Sequence, residues 1–372
     1  MSPSTVAVGD GVDAIDTPAL VIDVDAMRRN LAALAAFAAS RGLRLRPHAK
    51  THKSAAIAQL QTAAGAVGIC VQKLSEAEAL AAGGVLDIFI SNEIVAPAKL
   101  ARLAALAGRI TLALAVDSAL GVDRLAAALK AAGTRVDVFV EIDVGQGRCG
   151  VAPPAAGALA HQLVSHGLRF AGLHAYHGRA QHLRGSGERE AAIRHAVSAV
   201  RSAQASITSA GMHCPLVTGA GSGSFAFEAA SGVYGELQCG SYLFMDADYA
   251  ANEPTPGAPR FEHALFVKSQ VISRGAAHAV VDAGHKAHAI DSGLPRVHGR
   301  ALAFANGGDE HGILTVPHGG GELPSLGDTV WLVPGHCDPT VNLHDRYVVV
   351  RGGLAQGVVE AVWPVDARGC LT

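Results

Sequence analysis

Between residues 43 and 242 short apolar runs alternate with alanine-rich stretches of helical period, and this rhythm restricts the fold more than any other feature of the chain. The runs cover 43–47, 66–72, 86–92, 110–116, 136–143, 170–176, 216–219 and 236–242. The helical stretches between them include 77–82, 98–107, 120–132, 155–166 and 188–210. Parallel neighbours in a sheet need a long crossover between them, and a helix is the usual one, so strict alternation predicts parallel strands. Eight such units predict a closed eight-stranded parallel β/α barrel of the TIM type. The rival is an open doubly wound sheet, but no run leads into a dinucleotide-type glycine fingerprint.

After about Met245 helical period disappears. Residues 252–259 carry Pro254, Pro256 and Pro259 and read as a linker. Strand-like runs follow at 264–273, 278–282, 312–316, 329–333, 346–351 and 358–362. This is a mostly β second domain, and the run 17–24 is left over from the barrel count. The expected division is a barrel at 25–246 and a β domain at 247–372, joined by the N-terminal strand segment 1–24. Asp25 is the expected N-cap of the helix that follows this strand.

Active residues in such a barrel sit at the C-terminal ends of its strands, and the polar residues of this chain gather there. The first run enters Arg46-Pro47-His48-Ala49-Lys50-Thr51-His52-Lys53, which holds two of only seven lysines. Pro47 fixes its own φ and biases Arg46 towards extended backbone, as suits the end of a strand. Lys50 then points into the barrel mouth, where desolvation and neighbouring cations lower an amine's pKa and ready it for a Schiff base. A solvated basic loop is the plain alternative. The seventh run enters Thr218-Gly219-Ala220-Gly221-Ser222-Gly223-Ser224, and the eighth ends Gly240-Ser241-Tyr242. Glycines let backbone N–H groups approach an anion, hydroxyls add donors, and barrel phosphate sites use these two loops. Together with Lys50 they point to pyridoxal 5'-phosphate. The expected contacts are Lys50, Gln72, Arg148, Tyr176, Thr218, Gly219, Gly221, Ser222, Gly240, Ser241 and Tyr242. Arg148 suits the cofactor's phenolic oxygen or a substrate carboxylate, with a surface ion pair as its alternative. Tyr176 and His177 either flank the ring or pack in the core.

The second domain carries Pro334-Gly335-His336-Cys337-Asp338-Pro339-Thr340. In extended backbone, residues two apart share a face, so His336 and Asp338 would point together while Cys337 points elsewhere. One imidazole and one carboxylate, completed by water, suit an exchangeable divalent ion: Mn²⁺, with Mg²⁺ or Co²⁺ as alternatives. A polar turn is the other reading of this segment. His311, in Asp309-Glu310-His311, is a further polar residue placed to line the site.

Composition narrows the partners. The net charge of −2 gives no reason to expect nucleic acid or an anionic membrane. The first basic residue is Arg28, so a basic secretory start is absent, and runs such as 110–116 are too short to span a bilayer. Six scattered cysteines without metal-knuckle spacing fit a reduced, cytoplasmic protein.

Thr17-Pro18-Ala19-Leu20, the 46–53 stretch, Thr218-Gly219-Ala220-Gly221-Ser222-Gly223 and Pro334-Gly335-His336-Cys337-Asp338-Pro339-Thr340 together resemble one family. It is the D-threonine aldolase and D-serine dehydratase group of alanine-racemase-type pyridoxal phosphate enzymes. The resemblance spans nearly the whole chain and implies a barrel plus a β domain into which the N-terminal strand packs. It implies Lys50 as the Schiff-base lysine, His336 and Asp338 as metal ligands, a homodimer, and a small D-β-hydroxy-α-amino acid as substrate. The implied reaction is retro-aldol Cα–Cβ cleavage of D-threonine or a relative to glycine and an aldehyde. His52 and a metal-bound water are the two expected bases for the β-hydroxyl. Dehydratases of the group place cysteine where Asp338 stands, so the resemblance favours the aldolase branch. D-serine or 3-hydroxyaspartate dehydration, and a non-catalytic carrier of the cofactor, are the alternatives.

Overall fold

In the computed structural model, which describes residues 6–372, strand β1 (Ala19–Asp23) runs straight into helix α1 (Val24–Ala39). Residues 1–5 of the expected N-terminal segment lie outside the described residues. The cap of α1 is Asp23 rather than the expected Asp25: its carboxylate accepts from the N–H groups of Asp25 and Ala26 at 3.1 Å each. Asp25 is already in the first helical turn, where its charge favours the helix dipole.

The barrel then follows in strict alternation: β2 (Arg44–Leu45), α2 (Ala55–Ala63), β3 (Ile69–Val71), α3 (Leu74–Ala82), β4 (Asp87–Glu93) and α4 (Pro97–Ala107). It continues with β5 (Thr111–Val116), α5 (Ala119–Ala132), β6 (Asp137–Glu141), α6 (Ala156–Ser165), β7 (Arg169–Ala175), α7 (Ser186–Ser209), β8 (Val217–Gly219), α8 (Phe225–Ala230) and β9 (Glu236–Leu237). All eight barrel strands are parallel, in the order β2-β9-β8-β7-β6-β5-β4-β3. A parallel bridge from His48 to Cys70 closes the ring. The expected eight-stranded β/α barrel is the observed one.

Pro47 shapes the closure. The N–H groups of Arg46 and His48 bond to the carbonyls of Leu237 and Cys239 on one side. Pro47, which has no N–H, offers only its carbonyl to Cys70 on the other, at 2.8 Å. Inside the barrel, Phe89 and Phe139 pack at 4.9 Å with Cys70, Ala113 and Ala115. Two residues further along β6 and β7 the same inward face carries Glu141 and His174, so an apolar layer gives way to a polar one towards the C-terminal ends.

The β domain consists of β10 (Leu265–Arg274), β11 (Ala279–Val281), β12 (Arg296–Val297), β13 (Ala303–Asn306), β14 (Gly312–Thr315) and β15 (Thr329–Val333). Helix α9 (Cys337–Val341), β16 (Arg346–Arg351) and β17 (Val358–Pro364) complete it. The main path is β13-β14-β11-β10-β1-β16-β17, and β15 pairs with β10 and β12. The leftover strand β1 lies inside this sheet, antiparallel to β10 and parallel to β16. The two domains share a core in which Leu20, Ile22 and Met27 meet Tyr242, Phe244, Cys337 and Tyr347.

Candidate active site

The second domain docks on the loop after β2. The Tyr347 hydroxyl donates to the His52 carbonyl at 2.6 Å, and the Ala55 N–H donates to Asp366 Oδ2 at 2.7 Å. Ala367 N–H bonds the Lys53 carbonyl at 3.0 Å. These contacts set the start of α9 against Lys50, which lines a cavity of about 280 Å³ at the C-terminal mouth of the barrel. The cavity is lined by His48, Lys50, Thr51, Gln72, Ser91, Arg148, His174, Tyr176, Gly221, Ser222, Gln238, Gly240, Ser241 and Tyr249.

Lys50 sits on a 3₁₀ turn, Ala49–Thr51, whose first N–H groups are capped from His48: His48 Nδ1 accepts from the Lys50 N–H at 3.3 Å. Its Nζ forms an ion pair with Asp338 Oδ2 across the domain boundary. Burial alone would lower the Lys50 pKa, but the Asp338 carboxylate outweighs it and holds the ammonium above the ordinary lysine value. The expected depressed lysine is therefore corrected: the nearest charge is an anion from the other domain, not a cation. Burial likewise pushes Asp338 up, and the Lys50 charge, followed by that of His336, outweighs it and holds the carboxyl well below the usual range. Lys53 faces elsewhere, buried, with Nζ on Glu76 Oε1 at 2.7 Å and the Ala367 carbonyl at 3.3 Å.

His52 is not brought to the cavity. It is fully buried; its Nδ1 accepts from the Ser54 N–H at 3.1 Å and its Nε2 lies 3.2 Å from Gln61 Oε1. Burial lowers its pKa to about 4. The expectation of His52 as a base is corrected accordingly, because both ring nitrogens are committed within the fold. Tyr242 is also fully buried, with its hydroxyl 3.3 Å from Gln61 Nε2. Strand β9 ends at Leu237, and residues 241–243 form a 3₁₀ turn that sends this ring into the core. Thr218 and Gly219 do not line the cavity. Thr218 donates to Glu236 Oε1 at 2.8 Å and accepts from Gln238 Nε2 at 2.7 Å.

The glycine loops do approach closely. A Cβ on Gly240 would stand 2.7 Å from Thr51 Oγ1 and 3.0 Å from the His48 carbonyl; one on Gly221 would stand 2.5 Å from Gln181 Oε1. Neither position has room for a side chain, and each turn lines the cavity with a glycine and a serine, so backbone N–H groups and hydroxyls can stand close to an anion, as a phosphate site needs. Lys50, Gln72, Arg148, Tyr176, Gly221, Ser222, Gly240 and Ser241 are the expected contacts that line the cavity. Arg148 lies 3.7 Å from Glu141 Oε1 and 5.7 Å from the Tyr176 ring centre. His177 and the exposed His311 do not line it.

His336 caps α9, so the 336–338 segment turns into a helix where extended backbone was expected. The outcome for the side chains is nevertheless the same. Cys337 is fully buried, while His336 Nε2 comes within 3.9 Å of Asp338 Oδ2. Asp338 Oδ1 is buried without a hydrogen-bond partner. A carboxylate with one orphaned oxygen, its other oxygen 3.9 Å from an imidazole nitrogen, fits a divalent ion.

Sequence reasoning passed over several lining residues. His174 has Nδ1 at 2.9 Å from Glu141 Oε2 and Nε2 at 3.2 Å from Gln238 Oε1. His48 Nε2 lies 3.1 Å from Ser91 Oγ and 3.0 Å from Gln72 Nε2. Inward alternation on β7 and past β9 was the available signal for His174 and Gln238.

Residues 22–248 match the family model described as alanine racemase, N-terminal domain. The chain belongs to that family. Residues 264–350 match a second model, described as "Putative serine dehydratase domain". A D-threonine aldolase of Arthrobacter sp. is 47% identical over 365 residues, covering 97% of this chain and 95% of its own. A 3-hydroxy-D-aspartate aldolase of Paracoccus denitrificans is 43% identical, covering 95% and 92%. A D-threo-3-hydroxyaspartate dehydratase of Delftia sp. is more distant, at 33% over 89% and 93%. The crystal structure of D-threonine aldolase from Filomicrobium marinum superposes with a TM-score of 0.95 at 46% identity, covering 99% and 100%.

Proposed function

We propose that this chain is a carbon–carbon lyase that cleaves D-threonine and related D-β-hydroxy-α-amino acids to glycine and an aldehyde. The observation that carries the proposal is the meeting of Lys50 Nζ and Asp338 Oδ2: a carboxylate of the β domain pairs with the barrel lysine that lines the cavity. We assign pyridoxal phosphate binding to the barrel, residues 25–246, and the metal ligands to residues 247–372 with 1–24. Lys50 carries the cofactor's aldehyde, the Gly221–Ser222 and Gly240–Ser241 turns hold its phosphate, and His336 with Asp338 holds the ion. When bound, the cofactor ring supplies an electron sink for Cα and the ion a Lewis acid for the β-hydroxyl.

The chain's own residues do the rest. Gln72 and Ser91 fix the His48 ring on one wall, and Glu141 with Gln238 fixes His174 on another. Arg148 offers a planar guanidinium to the substrate carboxylate or the cofactor's phenolic oxygen. Because Asp338 stands where the resemblance gives dehydratases a cysteine, cleavage is favoured over elimination.

The test is product analysis with D-threonine, pyridoxal phosphate and Mn²⁺. Glycine and acetaldehyde are expected; 2-oxobutyrate and ammonia would move the chain to the dehydratases. A parallel assay with D-3-hydroxyaspartate ranks the side chains. Mn²⁺ is the proposed ion, since a two-ligand site completed by water binds weakly and exchanges. Chelation should stop cleavage yet spare the cofactor's visible band, and Mn²⁺ should restore it. We also propose a cytoplasmic homodimer. Six unpaired cysteines and the lack of any described helix long and apolar enough to cross a membrane support the location. The family resemblance supports the dimer, which sedimentation velocity checks.

A further inference from the structure

We infer that Asp291 is a positioning residue for the metal, holding His336 in the one ring orientation that offers Nε2 to the ion. This rests on the proposed His336–Asp338 site. His336 Nδ1 lies 2.7 Å from Asp291 Oδ2, while Nε2, on the far side of the ring, lies 3.9 Å from Asp338 Oδ2. Ser292 Oγ donates to the same Asp291 oxygen at 3.1 Å and lies farther from His336 Nδ1, at 3.4 Å, so the carboxylate is the nearer partner of the ring. A neutral imidazole carries one proton. With that proton on Nδ1 and given to Asp291, Nε2 keeps its lone pair on the side of the ring that faces Asp338 Oδ2.

The approach of the two loops is built into the backbone. Asp291 lies in the connection between β11 and β12, and His336 lies at the start of α9. A Cβ on Gly335 would run into the Gly293 carbonyl, so the two loops touch beside the pair. The alternative is an ordinary surface ion pair, since Asp291 is half exposed and such pairs add little to stability. The two roles separate experimentally. A surface pair changes neither metal affinity nor melting, whereas a carboxylate that fixes a ligating histidine changes affinity by about 10–100-fold.

Mn²⁺ affinity is measured on the full-length, cofactor-loaded protein from the paramagnetic resonance signal of the free ion. Asp291→Ala should weaken binding by about 10–100-fold with unchanged melting in chelator. Asp291→Asn, which keeps an acceptor oxygen for Nδ1–H, should fall between Asp291→Ala and wild type. Wild-type affinity in Asp291→Ala, with binding lost in His336→Ala, overturns the inference and leaves the metal site standing. Wild-type affinity in both variants overturns the site and the inference together. Earlier melting of Asp291→Ala in chelator makes Asp291 a structural residue and also overturns the inference.

Discussion

At the scale of single residues, the two lysines of the 46–53 stretch separate by environment. Lys50 opens on the cavity, whereas Lys53 neutralises a buried carboxylate at φ +50°. Lys50→Ala should abolish the cofactor's visible band, and it also removes the charge partner of Asp338. Lys53→Ala should keep the band but strand Glu76 as a buried charge, costing about 3–5 kcal/mol in urea unfolding. A borohydride-reduced cofactor found on Lys53 would reverse this assignment. Glu228 gives a pH prediction. It is fully buried, and burial raises its pKa to about 7 despite the Ser224 hydroxyl, which donates to Oε1 at 2.7 Å. Between the unfolded carboxyl value of about 4.3 and about 7, the folded chain keeps a proton that the unfolded chain has released. Its contribution to stability therefore falls as pH rises through that window, by at most about 1.4 kcal/mol per unit, and levels off above it. Glu228→Gln should flatten this slope; identical pH–stability curves for the two proteins would show that Glu228 titrates normally.

Among the elements, the 219–224 and 240–243 turns make similar demands. A methyl at Gly240 meets Thr51 Oγ1 and the His48 carbonyl, and one at Gly221 meets the Gln181 amide, which is buried and held by His177, Ser224 and Gly223. Gly240→Ala and Gly221→Ala should therefore both weaken cofactor binding more than Gln72→Ala, in a fluorescence titration of the apoprotein. Equal affinity in all three would remove the phosphate from these turns. The barrel was legible because each of its strands is buried and bounded by helical period, so the eight runs stand out without any motif. Helix α9 was not legible: five residues containing Pro339 give no periodic signal, and the His–Asp spacing reads equally well as a strand. Strand β13 is mostly exposed and β12 has two residues, so neither shows an alternating face. Asp291 escaped notice because its partner is 45 residues away and no local pattern links the two. His52 is close to Lys50 in sequence but not in space, because the 3₁₀ turn at Ala49–Thr51 carries it into the core, and no local pattern signals that turn.

For the molecule as a whole, the site exists only while the two domains hold their register. Tyr347 fixes that register by donating its buried hydroxyl to the carbonyl of His52, two residues after Lys50. Tyr347→Phe leaves that carbonyl unsatisfied, costing about 1–3 kcal/mol. It should lower cleavage more than cofactor absorbance, since Lys50 stays on the barrel while Asp338 moves; loss of both in proportion would place the defect in the barrel. The position of β1 has a different consequence, which concerns how the chain is made. Leu20, Val21 and Ile22 are fully buried between β10 and β16, yet they are synthesised before the barrel, and both partner strands after it. On the ribosome this apolar strand therefore has its edges open until the last part of the chain emerges, and open apolar edges recruit other chains. Nascent chains released before residue 346 should accumulate with trigger-type chaperones or in inclusion bodies, and substituting lysine at Val21 should relieve that aggregation while preventing the completed protein from closing its sheet.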